Sequence, residues 1–229
     1  EERLKEKLRA NEAQLQYYQL QTDPHFYLNC LNTISTLLQN EKKEVANDMI
    51  IALSGHFRYM FRKSRSLVLL KEELEEVQDY CRIYNIRNGI PLLVDMDVSK
   101  SEMLCKVPIL CIQTFVENAI KYYGKNGQML QVRIQIRRIK KEDKKEFLKI
   151  RITDNGVGYT KENLDEFNKP VDKFVYKSSH VGIDNLKYRF KLIFENEADI
   201  YFYNAPYSGA VVEMTIPVKE DDSDENINN

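Results

Sequence analysis

The hydrophobic period of this sequence changes near residue 89, and that change constrains the fold more than any other feature. Upstream, apolar side chains recur by fours and threes, the spacing of one helix face. Downstream, runs alternate strictly, the spacing of a half-buried strand. Leu4, Leu8, Asn11, Leu15 and Tyr18 form a seam among Glu, Lys, Arg and Gln, which predicts a coiled-coil helix over 1–21. A helical run to about Leu38, the polar turn "QNEKKE" and a second stripe of Val45, Met49, Leu53, Phe57 and Met60 predict a hairpin over 22–66. Its apolar stripes are broader than one helix covers, so pairing of two hairpins into a four-helix bundle is expected. Leu70, Leu74, Val77, Cys81 and Tyr84 mark a third, connecting helix over 67–88, with glutamates opposite.

Past "RNGIP", "PLLVDMDV" predicts a strand, and "VPILCIQTFVENAIKYY" (107–123) a helix with Pro108 in its first turn. "QVRIQIRRI" and "FLKIRIT" alternate around the polar "KKEDKK", the pattern of an antiparallel hairpin with one buried face. Residues 155–180 have weak periodicity and predict a long loop. Ile183, Leu186, Phe190 and Ile193 mark a further helix, and "DIYFY" and "AVVEMTIP" two closing strands. The expected class is α+β: the helical hairpin, then over 89–218 a largely antiparallel sheet with helices on one face. The acidic tail, 219–229, lacks apolar anchors and is expected to be disordered.

The net charge of −1 provides no basic field for nucleic acid. No apolar run is long enough to cross a bilayer, and the start without methionine suggests a piece of a longer protein. Cys30, Cys81, Cys105 and Cys111 lack metal-ligand spacing and are expected to be buried free thiols of a reducing cytoplasm.

Three stretches could carry chemistry. In the helix over 108–122, Gln113, Thr114, Glu117, Asn118 and Lys121 share one stripe of an otherwise apolar surface. The stripe either faces water or forms a ligand site with a metal-binding amide or carboxylate and a phosphate-binding lysine. "TDNGVG" ends an alternating strand with Asp154. Asp-Asn-Gly is turn chemistry anywhere, but here Gly156 and Gly158 open a long loop and allow close approach of backbone to a ligand. "HVGIDNLKYRF" starts a helix at Gly182, either a plain junction or a set of free N–H groups for phosphate.

"VENAIKYY", "DNGVG" and "GIDNLKYRF" resemble, in this order, the N box and the two glycine boxes of Bergerat-fold ATPases, the group that includes histidine kinases and type II topoisomerases. "LQTDPHFYLNCLNTI" (20–34) is similar to the phospho-acceptor signature of LytS/YesM-type sensor histidine kinases, and "LVLLKEELEEVQDYCRIYNIR" to that family's inter-domain segment. The resemblance spans about residues 15–217. It implies a Bergerat α/β sandwich that binds ATP and Mg²⁺. His25 would be the phospho-acceptor on a dimerised hairpin, and Asn29, one turn on, could position a water for phosphatase chemistry. Asn118 would ligate Mg²⁺, Glu117 would act as base or polariser, and Lys121 would touch phosphate. Asp154 would hold the adenine amino group, with Gly156 and Gly158 shaping the base pocket. Residues 159–181 would be a lid, with Gly182 and Asn185 closing on the phosphates. Arg189 matches a family arginine.

The implied reaction is autophosphorylation of His25, then transfer to an aspartate of a response regulator, in the cytoplasmic portion of a membrane sensor. Imidazole suits the role because its neutral form is available near neutral pH. A degraded or phosphatase-biased sensor that binds nucleotide weakly and a non-catalytic coiled-coil dimerisation scaffold are the other readings. The sequence departs from the family at Asp23, Tyr122, Tyr123, His180 and Ala210, and the changes at His180 and Ala210 bear on lid closure and nucleotide affinity. Pro24, inside a helical pattern, requires either a fresh helix start capped by Asp23 or a kink, and so predicts a mechanical joint beside His25.

Overall fold

The computed structural model describes residues 24–60, 66–89, 91–123, 129–141, 144–171, 181–195 and 197–219. The predicted coiled coil, Asp23, His180 and the acidic tail from residue 220 lie outside them. The described residues divide into two compact units: those up to Met60 with Glu75–Leu92, and Ser66–Leu74 with the residues from Leu93 onward.

The first unit is helical. α1 (Pro24–Gln39) and α2 (Lys43–Met60) form the expected hairpin. No glycine makes the turn. Glu41 takes the left-handed conformation (φ 58°), and its neighbour Lys42 donates to Leu37 O at 2.9 Å. That geometry costs an L-residue about 1–2 kcal/mol, which the closed carbonyls offset. Cys30, Ile34, Met49, Ala52, Leu53 and Ile83 form the core, the last from α3 (Leu70–Asn88). Burying each large aliphatic side chain contributes about 1.5–3 kcal/mol.

One polar cluster interrupts this core. His56 is buried, and its Nδ1 pairs with the buried carboxylate of Glu76. Tyr27 Oη lies 3.5 Å from Nε2 on the other side of the ring. Burial pushes the Glu76 carboxyl up, against the bond and charge of His56. The glutamates of α3 are therefore not all on an outer face: Glu73 and Glu76 are both buried.

The second unit contains two sheets. The first corrects the expectation of helix across 67–88 and 107–123. β1 (Leu67–Leu69) pairs antiparallel with β3 (Lys106–Pro108), so Pro108 closes a strand and does not open a helix. The large sheet has the order β2 (Leu92–Asp97), β4 (Leu130–Lys140), β5 (Glu146–Asp154), β7 (Ala210–Pro217), β6 (Asp199–Asn204). The β4–β5, β5–β7 and β6–β7 pairs are antiparallel. Ile134 faces Ile152, Ile136 faces Ile150, and Ile150 faces Met214, so the alternation buries one face. The other face carries the ion pairs Arg133–Asp95 (2.9 Å) and Arg151–Glu213 (2.8 Å).

α4 (Gln113–Tyr122) and α6 (Val181–Phe194) complete the unit; Phe115 of α4 meets Phe202 of β6 edge-on at 5.8 Å. The predicted loop 155–180 also contains a helix, α5 (Lys161–Phe167), capped by Thr160, whose Oγ1 accepts the Asn163 N–H at 3.2 Å. Its run of seven residues is too short to show a helical period among charged neighbours.

Candidate functional site

α4 starts where it does because Glu73 holds it. That carboxylate, fully buried, accepts the N–H groups of Leu110 (2.7 Å), Ile112 (2.8 Å) and Gln113 (3.3 Å). These are donors a helix start leaves without intrahelical partners, and a negative charge there also meets the positive end of the helix dipole. Leu110 is left-handed (φ 60°), and Thr114 Oγ1 donates back to its carbonyl at 2.6 Å. Arg189 of α6 is buried and donates to Ile109 O, so the α4 entry is held from two elements.

Fixed in this way, the polar stripe does not face water along its length. Gln113 and Thr114 are buried, Glu117 and Asn118 half-buried, and only Lys121 is exposed. Glu117 Oε1 accepts from Gln113 Nε2 at 2.8 Å. Lys121 Nζ lies 5.2 Å over the Tyr122 ring. The Asn118 Nδ2 atom is buried and has no hydrogen-bond partner among the described residues. A buried amide nitrogen left so costs about 1–3 kcal/mol, which marks Asn118 as placed for something other than stability.

Asn118 lines a cavity of about 180 Å³ together with Phe115, Asp154, Gly156, Gly158 and Tyr159. Asp154 ends β5. Its Oδ1 accepts the N–H of Gly156 (2.7 Å) and of Ala210 (3.2 Å), and neither bond uses Oδ2. Burial pushes the Asp154 carboxyl up, partly opposed by those two N–H groups. Tyr159, near that carboxylate, is pushed up as well, first by burial. A Cβ on Gly158 (φ 79°) would lie 2.8 Å from Asn204 Oδ1, so the strand–loop junction leaves no room for one.

Side-chain amides brace the box that follows β5. Asn155 Oδ1 accepts the Gln131 N–H at 2.8 Å and its Nδ2 donates to Met129 O at 2.9 Å. Asn204 accepts the Tyr159 N–H (2.7 Å) and donates to the Tyr159 carbonyl (2.9 Å), imitating a strand neighbour. Ser208 Oγ donates to Gly156 O at 2.8 Å. On α6, Asn185 is fully buried, and a Cβ on Gly182 would lie 3.5 Å from Thr114 Cγ2. Neither residue lines the cavity, nor do Glu117 and Lys121.

His25 and Asn29 belong to the helical unit. His25 is exposed on α1, and Asn29 Nδ2 lies 3.2 Å from its Nδ1 and 3.3 Å from its Nε2, so one amide hydrogen can reach either nitrogen.

Residues 13–92 match the family described as histidine kinase, and residues 108–220 the family described as histidine kinase-, DNA gyrase B- and HSP90-like ATPase. The chain belongs to the histidine kinase family. Sensor protein LytS of Staphylococcus saprophyticus is 31% identical over 209 residues, 90% of this chain and 34% of that protein. LytS of Enterococcus faecalis is 29% identical over 219 residues, 95% of this chain and 36% of that protein. An uncharacterized sensor-like histidine kinase of Staphylococcus epidermidis is 29% identical, covering 92% of this chain and 40% of the relative. The chain thus spans 34–40% of the length of these relatives. Among solved structures, the catalytic domain of histidine kinase ThkA aligns over 66% of the chain at 16% identity, with a TM-score of 0.47.

Several residues that hold the site of this histidine kinase family member escape its sequence. Glu73 sits on a helix whose other glutamates suggest an outer face, and its partners lie 37–40 positions away. Asn204 is an ordinary strand-end amide until its partner, 45 positions away, is known. Lys187 donates to the last carbonyl of α5, Phe167 O (2.5 Å), and to Lys169 O just beyond it, and so ties the end of α5 to α6. Gly209, which packs against the Asp154 carbonyl with φ of 101°, does carry a local signal, because glycine is the residue that adopts such a backbone readily. All four cysteines are buried and free, as their spacing predicts.

Proposed function

We propose that this chain is the kinase core of a two-component sensor, which uses ATP to phosphorylate His25 and then passes the phosphoryl group to an aspartate of a response regulator. The observation that carries the reading is Asp154 in the cavity wall. Its Oδ1 is engaged by backbone N–H groups, while neither of those bonds takes Oδ2. A carboxylate oxygen so held suits the amino group of adenine and repels the carbonyl that guanine has there. Gly156 and Gly158 supply a wall without side chains for the base.

Asn118 would hold the Mg²⁺ through its amide oxygen, while its buried nitrogen, unpartnered among the described residues, would donate to an acceptor oxygen or nitrogen of the ligand in the cavity. The metal would supply charge neutralisation at the phosphates. Lys121, exposed at the end of α4, is the cation for phosphate, and Gly182 and Asn185 are the residues expected to close on it. A His25 ring nitrogen attacks the γ-phosphorus. The N–P bond forms, the P–O bond to ADP breaks, and Glu117 takes the proton the imidazole gives up. Asn29 orients the ring and, in the reverse role, positions a water for hydrolysis of the phosphorylated regulator.

The partner of the hairpin is a second copy. Leu28, Leu31 and Leu38 of α1 and Val45, Ile50 and Ile51 of α2 are exposed. So many large aliphatics on one hairpin support burial against its own kind. Among the described residues no helix is long and apolar enough to cross a membrane. The test is incubation with Mg²⁺ and γ-labelled ATP. Acid-labile, alkali-stable label that vanishes in His25→Gln is expected, and label that persists in that variant removes His25 from the mechanism.

A further inference from the structure

The helical unit contains a polar groove, and of the residues that line it the proposed chemistry uses Asn29 alone. Asn29, Asn32, Thr33 and Thr36 of α1 line it with Arg87 and Asn88 from the end of α3, around a volume of about 520 Å³. Spacings of three and four put the α1 residues on one face. A solvated helix face usually carries Lys and Glu, whose charges are mobile and well hydrated. This one is built mainly of amides and hydroxyls, with Leu37 beside them, around a single guanidinium.

That guanidinium is held in place. Arg87 Cζ lies 5.2 Å from the centroid of the Phe26 ring, on the residue after His25. Its charge also reaches Cys30, where it opposes the rise that burial imposes on the thiol. No carboxylate among the described residues forms an ion pair with Arg87. The groove also shares a wall with the acceptor: Asn29, which lines it, places its amide nitrogen 3.2 Å from His25 Nδ1.

We propose that this groove is an oxyanion site for the phosphoryl group carried by His25, with Arg87 neutralising its charge and the Asn29 and Asn32 amides donating to its oxygens. The inference rests on the reading of His25 as phospho-acceptor. A phosphoryl group on an exposed imidazole presents three acceptor oxygens and close to two negative charges, and a planar guanidinium is the side chain best shaped to meet them. Arg87 then shifts the balance between ATP and the phosphorylated histidine, and slows loss of the group to water. The competing role is packing alone, a guanidinium that merely covers Phe26.

Two substitutions in the full chain separate these roles. Arg87→Met keeps a long apolar stem over Phe26 and removes the charge; Arg87→Lys keeps the charge and loses the fork. Label on His25 and its decay after ATP is removed are followed, with nucleotide affinity and melting temperature as controls. Arg87→Met is expected to lower steady-state label and speed its loss, each about tenfold, with both controls unchanged. Arg87→Lys is expected to recover most of the difference. Label on His25 that is indifferent to Arg87→Met overturns the groove while leaving the kinase reading intact. Equal losses in Met and Lys variants, with lowered melting temperature, assign Arg87 to packing. Label that survives His25→Gln sinks the kinase reading, and the groove falls with it.

Discussion

Glu73 Oε2 accepts the backbone N–H of Leu110 at 2.7 Å, across 37 positions of chain. The other oxygen, Oε1, takes Ile112 and Gln113, so both are needed as acceptors. Glu73→Gln keeps the shape but turns an NH₂ toward one of these donors. The expected loss is about 2–4 kcal/mol of stability in the ATPase-family unit, with weaker nucleotide binding because α4 loses its fixed start. Urea unfolding checks it. A loss below about 1 kcal/mol would show that the carboxylate is not what holds the helix.

Asp154 exchanges stability for binding. Its folded carboxyl titrates above the ordinary 3.8, first because it is buried. A raised carboxyl favours its protonated form in the fold. That stabilisation is complete below 3.8 and lost as pH rises through the folded value. At neutral pH the ionised group is therefore carried at a cost. Asp154→Asn should melt higher than the parent at neutral pH, with the gap closing near pH 4, while nucleotide binding is lost. A lower melting temperature at neutral pH would contradict this assignment.

The His56–Glu76 pair predicts strong coupling. Their side chains are only 5% and 1% exposed. His56→Ala strands a buried carboxylate and should cost the helical unit about 3–5 kcal/mol. Glu76→Gln alone leaves a polar partner for the imidazole and should cost less. In the double variant the losses should be well short of additive, a coupling of more than about 1 kcal/mol in a double-mutant cycle. Additive losses would mean that the two residues act independently.

Gly209 lies directly against the Asp154–Asn155 backbone. With φ of 101°, its Cβ position lies 1.8 Å from the Asp154 carbonyl oxygen. No side-chain rotation relieves that contact, so Gly209→Ala must move β5 or β7 and should cost about 3 kcal/mol or more. Loss of nucleotide binding should accompany it, because the Ala210 N–H that steadies Asp154 moves too. Chemical denaturation with a fluorescent nucleotide titration measures both effects.

The sequence shows whatever is local and periodic. The alternation of Ile134 and Ile136 against Ile150 and Ile152 predicts the β4–β5 hairpin and its buried face, and the register agrees. The α1–α2 hairpin follows from its stripes. What escaped was set by single long-range bonds. β1 is three residues long and exists through its pairing with β3, so no period could show it. Pro108, a sound helix start by local rules, ends that strand instead. Among the expected site residues, Asn118, Asp154, Gly156 and Gly158 come together in one cavity. Glu117, Lys121, Gly182 and Asn185 stand outside its wall, because α4 presents Glu117 to Gln113 and α6 buries Asn185.

The pairing of β1 with β3 decides where the ATP-binding part can be cut from the rest. A truncation at residue 89, the point where the hydrophobic period changes, removes Leu67–Leu69 and leaves β3 without its neighbour. It also removes Glu73, leaving the Leu110, Ile112 and Gln113 N–H groups without their acceptor. A shortened protein meant to keep its nucleotide pocket has to begin ahead of Ser66 and bring α3 along.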